Sequence, residues 1–368
     1  MKYHIYSLSF KKYSLILACP FFFLAWLIWS METWFEPLNG DLTRLGYLLE
    51  EDFGWNMQQP LVPVERMKSF SIEEADVLVI GDSFSAELVW QSQLVSEGLK
   101  PATWHWNPLM LCEDIGVAVR QAGFRGRYMV IESIERSFQK NMSYRCNKTI
   151  NIRKNAYAGL APETDRIRIP STKNPLGGDW MLKALYNKIK LSRLNTSQDF
   201  IEFGPVRVVP IDGCKLFTNK MCEYGLFYFN DFKKKTYSAI ANVLAVNRNL
   251  HKVGIQAIWL IVPDKSTVYL GYGKYNRNPY VNIWQKLAQH KELTVPNLDE
   301  KFIRESRQVK DFYVPNDTHL STKGYIFLGD EVVNYINNMK KIDSNLSFLK
   351  DFSTREMRQD IPNRKSNQ

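Results

Sequence analysis

The chain has little of what metal and nucleic-acid sites are made from. It holds five cysteines and five histidines. None stands in a Cys-x-x-Cys or His-x-x-x-His arrangement, so the spacing of a zinc-type site is missing and no metal or cofactor is expected. No nucleic-acid-binding motif occurs, and the basic residues behind the net charge of +10 are spread rather than banded. That excludes nucleic acid as the expected partner. It leaves an acidic glycan, a lipid surface or a merely solvated basic surface. There is no internal repeat and no low-complexity tract, which argues against a solenoid and against disorder over most of the length. Charge is also absent from Tyr13 to Ser30.

What is present is ample for a core. With 368 residues, 45% of them hydrophobic and 13% aromatic, the chain can form one large α/β domain or two smaller ones. The uncharged stretch 13–30 is about the length of a bilayer-crossing helix, roughly 17–25 residues. Lys2, Lys11 and Lys12 precede it, and Glu32, Glu36 and Asp41 follow. The positive-inside rule then puts residues 1–12 in the cytoplasm and everything after residue 31 outside, with Trp26, Trp29 and Trp34 suited to the outer interface. A cleaved signal peptide is the competing reading. No small-x-small site follows the segment, and bulky tryptophans stand where cleavage would occur. On the anchored topology Cys19 lies in the membrane, leaving Cys112, Cys146, Cys214 and Cys222 in an oxidising compartment. Of their three pairings, Cys214 with Cys222 closes a short loop and leaves Cys112 with Cys146; free buried thiols are the alternative.

Organisation follows from the alternation of apolar runs. Residues 31–70 read as a spacer and 71–340 as the main domain. Within it, Asp76-Val77-Leu78-Val79-Ile80 has buried-strand character and leads into a helix at about 84–98. A short aromatic strand near 103–106, a helical stretch to about 122 and a strand at 127–132 follow. The rhythm stops over about 140–230, which reads as an insertion or cap with a short helix near 181–193 and β-like pieces at 206–211 and 226–230. It resumes with a helix at 232–252, the strand 255–262, a helix near 280–290, a short strand at 293–297 and a last helix at 321–339. Residues 341–368 read as a polar tail. Strands alternating with helices predict a parallel sheet, with reactive groups at the carboxyl ends of its strands.

Gly81-Asp82-Ser83-Phe84 stands at such a strand end, with a helical pattern behind it. A serine there projects its hydroxyl from the sheet edge, but needs a base to become a nucleophile. His4 is cytoplasmic on the topology above. His251 and His290 sit at helix ends beside Lys252 and Lys291, and His105 is flanked by Trp104 and Trp106, where packing is expected. Only His319 has a carboxylate, Asp317, two residues ahead of it in a loop before a helix. Ser83, His319 and Asp317 are therefore the expected nucleophile, base and orienting acid. The Ser83 N–H is the natural first oxyanion donor and Asn107 a candidate second, although a residue before Pro108 is more often a turn former. Asp82 is expected to shape the turn. Glu132, Glu135 and Arg136 follow a core strand and should lie near the same edge, either as an internal Glu–Arg pair or as substrate contacts. Lys265 faces the same choice. Tyr269, Tyr272 and Tyr275 can stack on sugar rings or simply pack.

Gly81-Asp82-Ser83-Phe84 with Asp317-x-His319 resembles the SGNH (GDSL-type) hydrolase superfamily, whose fold is a flavodoxin-like three-layer α/β/α sandwich. Most of that superfamily carries Asp-x-x-His, which would put Asn316 in the acid's place. The Asp-x-His spacing here, and Val130-Ile131-Glu132-Ser133-Ile134-Glu135-Arg136 with its Glu-x-x-Glu-Arg ending, are similar to the alginate O-acetyltransferase-type proteins of that superfamily. The resemblance covers roughly residues 75–340. It departs from the group at Leu320, where a Trp is usual, and in placing Ser ahead of Asp and His. The resemblance implies an extracytoplasmic O-acyltransferase acting on a cell-surface or exported polysaccharide, its acyl donor delivered by a multi-pass membrane acyltransferase. A serine esterase using the same triad and a non-enzymatic polysaccharide-binding component are the alternatives.

Overall fold

The computed structural model of the chain describes residues 10–34, 40–105, 111, 114–143, 178–193, 199–233, 238–271 and 280–359. Seven strands occur among them: β1 Val77–Gly81, β2 Pro101–His105, β3 Tyr128–Ile134, β4 Ile201–Phe203, β5 Val206–Pro210, β6 Tyr224–Tyr228 and β7 Gln256–Val262. The chain divides into two compact units. The smaller takes in Met1–Gln58, Ile167–Asn230 and Tyr313–Thr318; the larger takes in Gln59–Arg166, Asp231–Phe312 and His319–Gln368.

The larger unit is built on a parallel sheet of four strands in the order β2-β1-β3-β7. Leu78 and Ile80 of β1, Met129 and Ile131 of β3, and Trp259 and Ile261 of β7 point to one face. There they meet Val119, Val246, Leu250, Trp284 and Leu287 from the helices Ile115–Gln121, Ile240–Lys252 and Ile283–Ala288. The alternate residues Val77, Val79, Val130, Ile258, Leu260 and Val262 are just as fully buried. Burial on both faces is why these strands are continuous apolar runs rather than alternating ones. The mixed α/β class and the parallel sheet are as the sequence implies.

Local details differ from the periodicity. The helix expected at 84–98 is two short ones, Ser83–Ala86 and Gln91–Ser96, because Leu88 between them takes a left-handed backbone, φ 58°. The strand expected at 293–297 is a single bridge from Thr294 to Ile258. The last helix, Thr322–Gln359, runs on through much of the stretch read as a tail.

The smaller unit contains the antiparallel sheet β4-β5-β6. Gly204, at φ 58°, makes the two-residue turn between β4 and β5, a conformation costly for a residue with a Cβ. Leu42, Leu48 and Phe53 pack on Phe203, Val206 and Val208, so residues 40–58 of the expected spacer are part of this core, in the helices Asp41–Gly46 and Glu50–Phe53. Leu191 joins them from the helix Gly178–Ser192, and a disulfide joins Cys214 to Cys222. The segment 13–30 lies within a helix, Phe10–Trp34, on which Leu15, Phe21, Phe22 and Trp29 are exposed. Among the described residues no helix is long and apolar enough to cross a membrane.

Candidate active site

β1 ends at Gly81, and the next residue caps a short helix. The Asp82 carboxylate accepts from the Phe84 N–H at 3.0 Å through Oδ1 and from the Ile134 N–H at 2.9 Å through Oδ2. One side chain thus closes the turn and ties it to the end of β3. A Cβ on residue 81 would come within 2.6 Å of Glu132 Oε2 and closer still to Ser85, so only glycine fits there.

Ser83, at the first position of the short helix, is exposed. Its Oγ lies 2.8 Å from Nε2 of His319, 236 residues along the chain. The imidazole rests against the buried Phe84 ring, with centroids 4.8 Å apart and planes 34° from parallel, and Phe84 in turn meets Tyr325. The backbone after His319 is held from both sides. The Ser321 N–H donates to the Phe312 carbonyl, and the Ser321 hydroxyl accepts from the Gly324 N–H as an N-cap of the last helix. Asp317, two residues before His319 in the chain, belongs to the smaller unit, where its Oδ2 accepts from the Asp41 N–H at 3.0 Å. Asn316, the residue before it, is buried and donates to Glu50.

Behind the turn lies a buried polar group. Glu132 Oε2 accepts from both the Asp82 N–H, at 2.9 Å, and the Ser85 hydroxyl, at 2.8 Å. Ser85 Oγ accepts from the Trp90 indole N–H, and Gln91 donates to the Ser85 carbonyl. Burial, and next the charge of Asp82, push the Glu132 carboxyl well above its ordinary range.

Three residues further on, Glu135 and Arg136 serve a different corner. Arg136 is half-buried between two buried carboxylates, 3.1 Å from Asp264 and 3.5 Å from Asp231. Burial opposes its charge, but Asp231, Asp264 and Asp82 outweigh burial and hold the guanidinium protonated above its usual range. Glu135 Oε2 accepts from the Asp264 N–H and the Thr267 hydroxyl, and Oε1 from the Tyr280 hydroxyl. Arg136 thus pairs with Asp264 and Asp231, while Glu135 binds the loop after β7. Nothing local in the sequence marks Asp231 or Asp264 as partners of Arg136. Lys265 is buried at the start of the helix Lys265–Leu270.

His105, expected to pack between its tryptophans, is exposed. It is the last residue of β2, paired in register with Gly81 at the open end of the sheet, while Trp104 turns into the core. Tyr269 is half-buried. Asn107, Cys112, Cys146, Tyr272 and Tyr275 lie outside the described residues. The structure thus brings together Ser83, His319 and, behind their turn, Glu132. It sets Glu135 and Arg136 at the neighbouring strand ends. Sequence reasoning missed Ser85, whose signal is its place two residues after Ser83 on the same turn. No family model, curated protein or solved structure matches this chain.

Proposed function

We propose that Ser83, His319 and Asp317 are the nucleophile, base and orienting acid of a serine acyl-transfer site. On this reading the protein is an SGNH-like, flavodoxin-fold O-acyltransferase that acetylates an extracytoplasmic polysaccharide. The observation that carries the proposal is the 2.8 Å contact between Ser83 Oγ and His319 Nε2 at the carboxyl end of a parallel strand. A neutral imidazole at that distance can accept the hydroxyl proton as Oγ attacks an ester carbonyl. The tetrahedral intermediate collapses by expelling the donor's alkoxide, which takes the proton from His319, and leaves an acyl-serine. A sugar hydroxyl then gives its proton to His319, attacks the acyl-serine, and releases Ser83 as the imidazolium returns the proton.

The charge-free segment 13–30 with lysines on one side, and the Cys214–Cys222 disulfide, support a membrane-anchored site outside the cytoplasm. The donor then has to come from a membrane partner, as in the resembled group, because cytoplasmic acyl thioesters do not reach that side. The exposure of Ser83 favours a second reading, an esterase in which water takes the place of the sugar.

The test gives the full-length protein in detergent a chromogenic acetyl ester, with and without oligosaccharides. Ser83→Ala and His319→Ala are each expected to lower kcat by about 10³-fold or more. Acetylated sugar selects transfer, and free acetate alone selects hydrolysis. A Ser83→Ala protein that still supports full acetylation of the polymer would sink both enzymatic readings and leave a polysaccharide-binding component.

A further inference from the structure

The strand that ends beside the nucleophile turn carries a carboxyl group that touches no reacting atom yet is wholly buried under the turn. Glu132 has no exposed surface. Through Oε2 it accepts from the Asp82 N–H and the Ser85 hydroxyl, so it grips the turn on both sides of Ser83. Asp82 stands beside it in the same turn, and its charge acts on the Glu132 carboxyl. Two neighbouring carboxyl groups, one of them wholly buried, are not both ionised without a large cost. Asp82 already uses both oxygens to accept from backbone N–H groups, so the proton belongs to Glu132.

We infer that Glu132 is a positioning residue that works as a neutral acid. Oε2 accepts from the turn on both sides of Ser83, and the uncharged carboxyl puts no second negative charge beside Asp82, so that Ser83 Oγ is held toward His319. The inference rests on the acyl-transfer reading for its kinetic consequence only. Burial and the Asp82 charge act in the direction that keeps the proton in place. The charged groups around it are Asp82 on the turn, Arg136 after β3 with its partners Asp231 and Asp264, and His319 beyond Ser83. Leu260 of β7 and Gly81 of β1, its strand neighbours, do not titrate. Ionising Glu132 sets two carboxylates against each other beneath the nucleophile.

Glutamine has the same shape, one acceptor oxygen and a permanent donor in place of the acidic proton. It should therefore substitute for glutamate here, as it would not for a catalytic acid or base. The experiment measures kcat and KM of the full-length protein for a chromogenic acetyl ester from pH 6 to 10, with urea unfolding over the same range. Wild type, Glu132→Gln, Glu132→Leu and Ser83→Ala are compared. Glu132→Gln is expected to keep kcat within about threefold at pH 7 and to lose an alkaline fall present in wild type. Glu132→Leu is expected to lower kcat by on the order of 100-fold at a KM changed less than threefold, the signature of a misaimed nucleophile.

The stability arm does not depend on Ser83. The unfolded chain gives up the Glu132 proton near 4.5, whereas the fold keeps it to higher pH. Folding therefore takes up a proton above that point, and wild-type stability declines with rising pH until Glu132 ionises in the fold. Glu132→Gln lacks that decline and unfolds at a urea midpoint that depends less on pH. A Gln variant as impaired as Leu, or with the wild-type pH slope of stability, overturns the inference. If Leu fails to fold, the Gln profiles decide. An inactive Ser83→Ala beside a failed Gln prediction overturns this inference alone. A fully active Ser83→Ala overturns the acyl-transfer reading, and the stability slope then judges Glu132 by itself.

Discussion

Glu132 and Glu135 stand three residues apart at the end of one strand and live in opposite electrostatic settings. Glu132 is buried beside another carboxyl, Asp82, with hydrogen-bond donors from the turn, and is driven toward its neutral form. Glu135 accepts from an N–H, a threonine and a tyrosine at a corner where Arg136 offsets Asp231 and Asp264. The first corner is finished by an exposed serine; the second is closed, with its aspartates buried. The difference separates a place that presents a group to a substrate from a place that holds strand ends together. It also explains why a Glu-x-x-Glu-Arg run needs no substrate: each of its three side chains has partners inside the larger unit.

If the β3–β7 corner is structural, removing its cation should cost stability and leave the chemistry in place. Arg136→Met leaves Asp231 and Asp264 buried without the guanidinium between them. It is expected to destabilise the protein by about 3–5 kcal/mol, the usual cost of breaking a buried ion pair from one side. Urea unfolding measures this, while kcat at low temperature in the folded fraction should stay within a few-fold of wild type. A selective loss of kcat or a raised KM, with stability intact, would move Arg136 into substrate binding and break the contrast between the corners.

Much of the first corner can be read from the residues alone, and little of the second. Strands β1, β3 and β7 show as apolar runs because both faces of the sheet are covered. Ser83 shows because a glycine and a capping aspartate mark the strand-to-helix turn, and His319 because only one histidine has an acid two residues before it. What does not show depends on contacts distant in sequence or on single backbone angles. Arg136 meets Asp264 128 residues away, with no local sign of the pairing. The helix after Ser83 breaks at Leu88, whose left-handed backbone interrupts an otherwise unbroken helical pattern. β4 has three residues, too few for alternation to stand out. His105 looks packed between tryptophans, but its place as the last strand residue at the sheet's open end outweighs its neighbours.

The nucleophile turn should show the reverse balance of effects. Gly81→Ala puts a Cβ against Ser85 and Glu132, and overpacking of that kind costs about 1–3 kcal/mol. Because the displaced groups are those that hold Asp82 and Ser83, kcat should fall by on the order of 100-fold even where the variant is fully folded. Thermal unfolding alongside ester hydrolysis separates the two effects. A variant with a lowered melting temperature and unchanged kcat would mean that the turn tolerates a shift, and that Ser83 is not aimed by it.

The mildest test probes the redundancy of the closed corner. Thr267→Val keeps the shape of the side chain and removes one hydroxyl donor from Glu135 Oε2, which retains the Asp264 N–H, while Oε1 retains the Tyr280 hydroxyl. A hydrogen bond to a carboxylate is worth about 1.5–3 kcal/mol when its loss leaves the charge exposed to nothing else. With the Asp264 and Tyr280 donors remaining, the expected loss is at or just below the lower end of that range, about 1–1.5 kcal/mol. Urea unfolding at pH 7 checks it, with kcat as control. A loss approaching that of Arg136→Met would show that the corner's hydrogen bonds are cooperative rather than redundant. Glu135 would then hold the end of β7 as firmly as the ion pairs do, and the two glutamates of β3 would differ in what they hold rather than in how strongly.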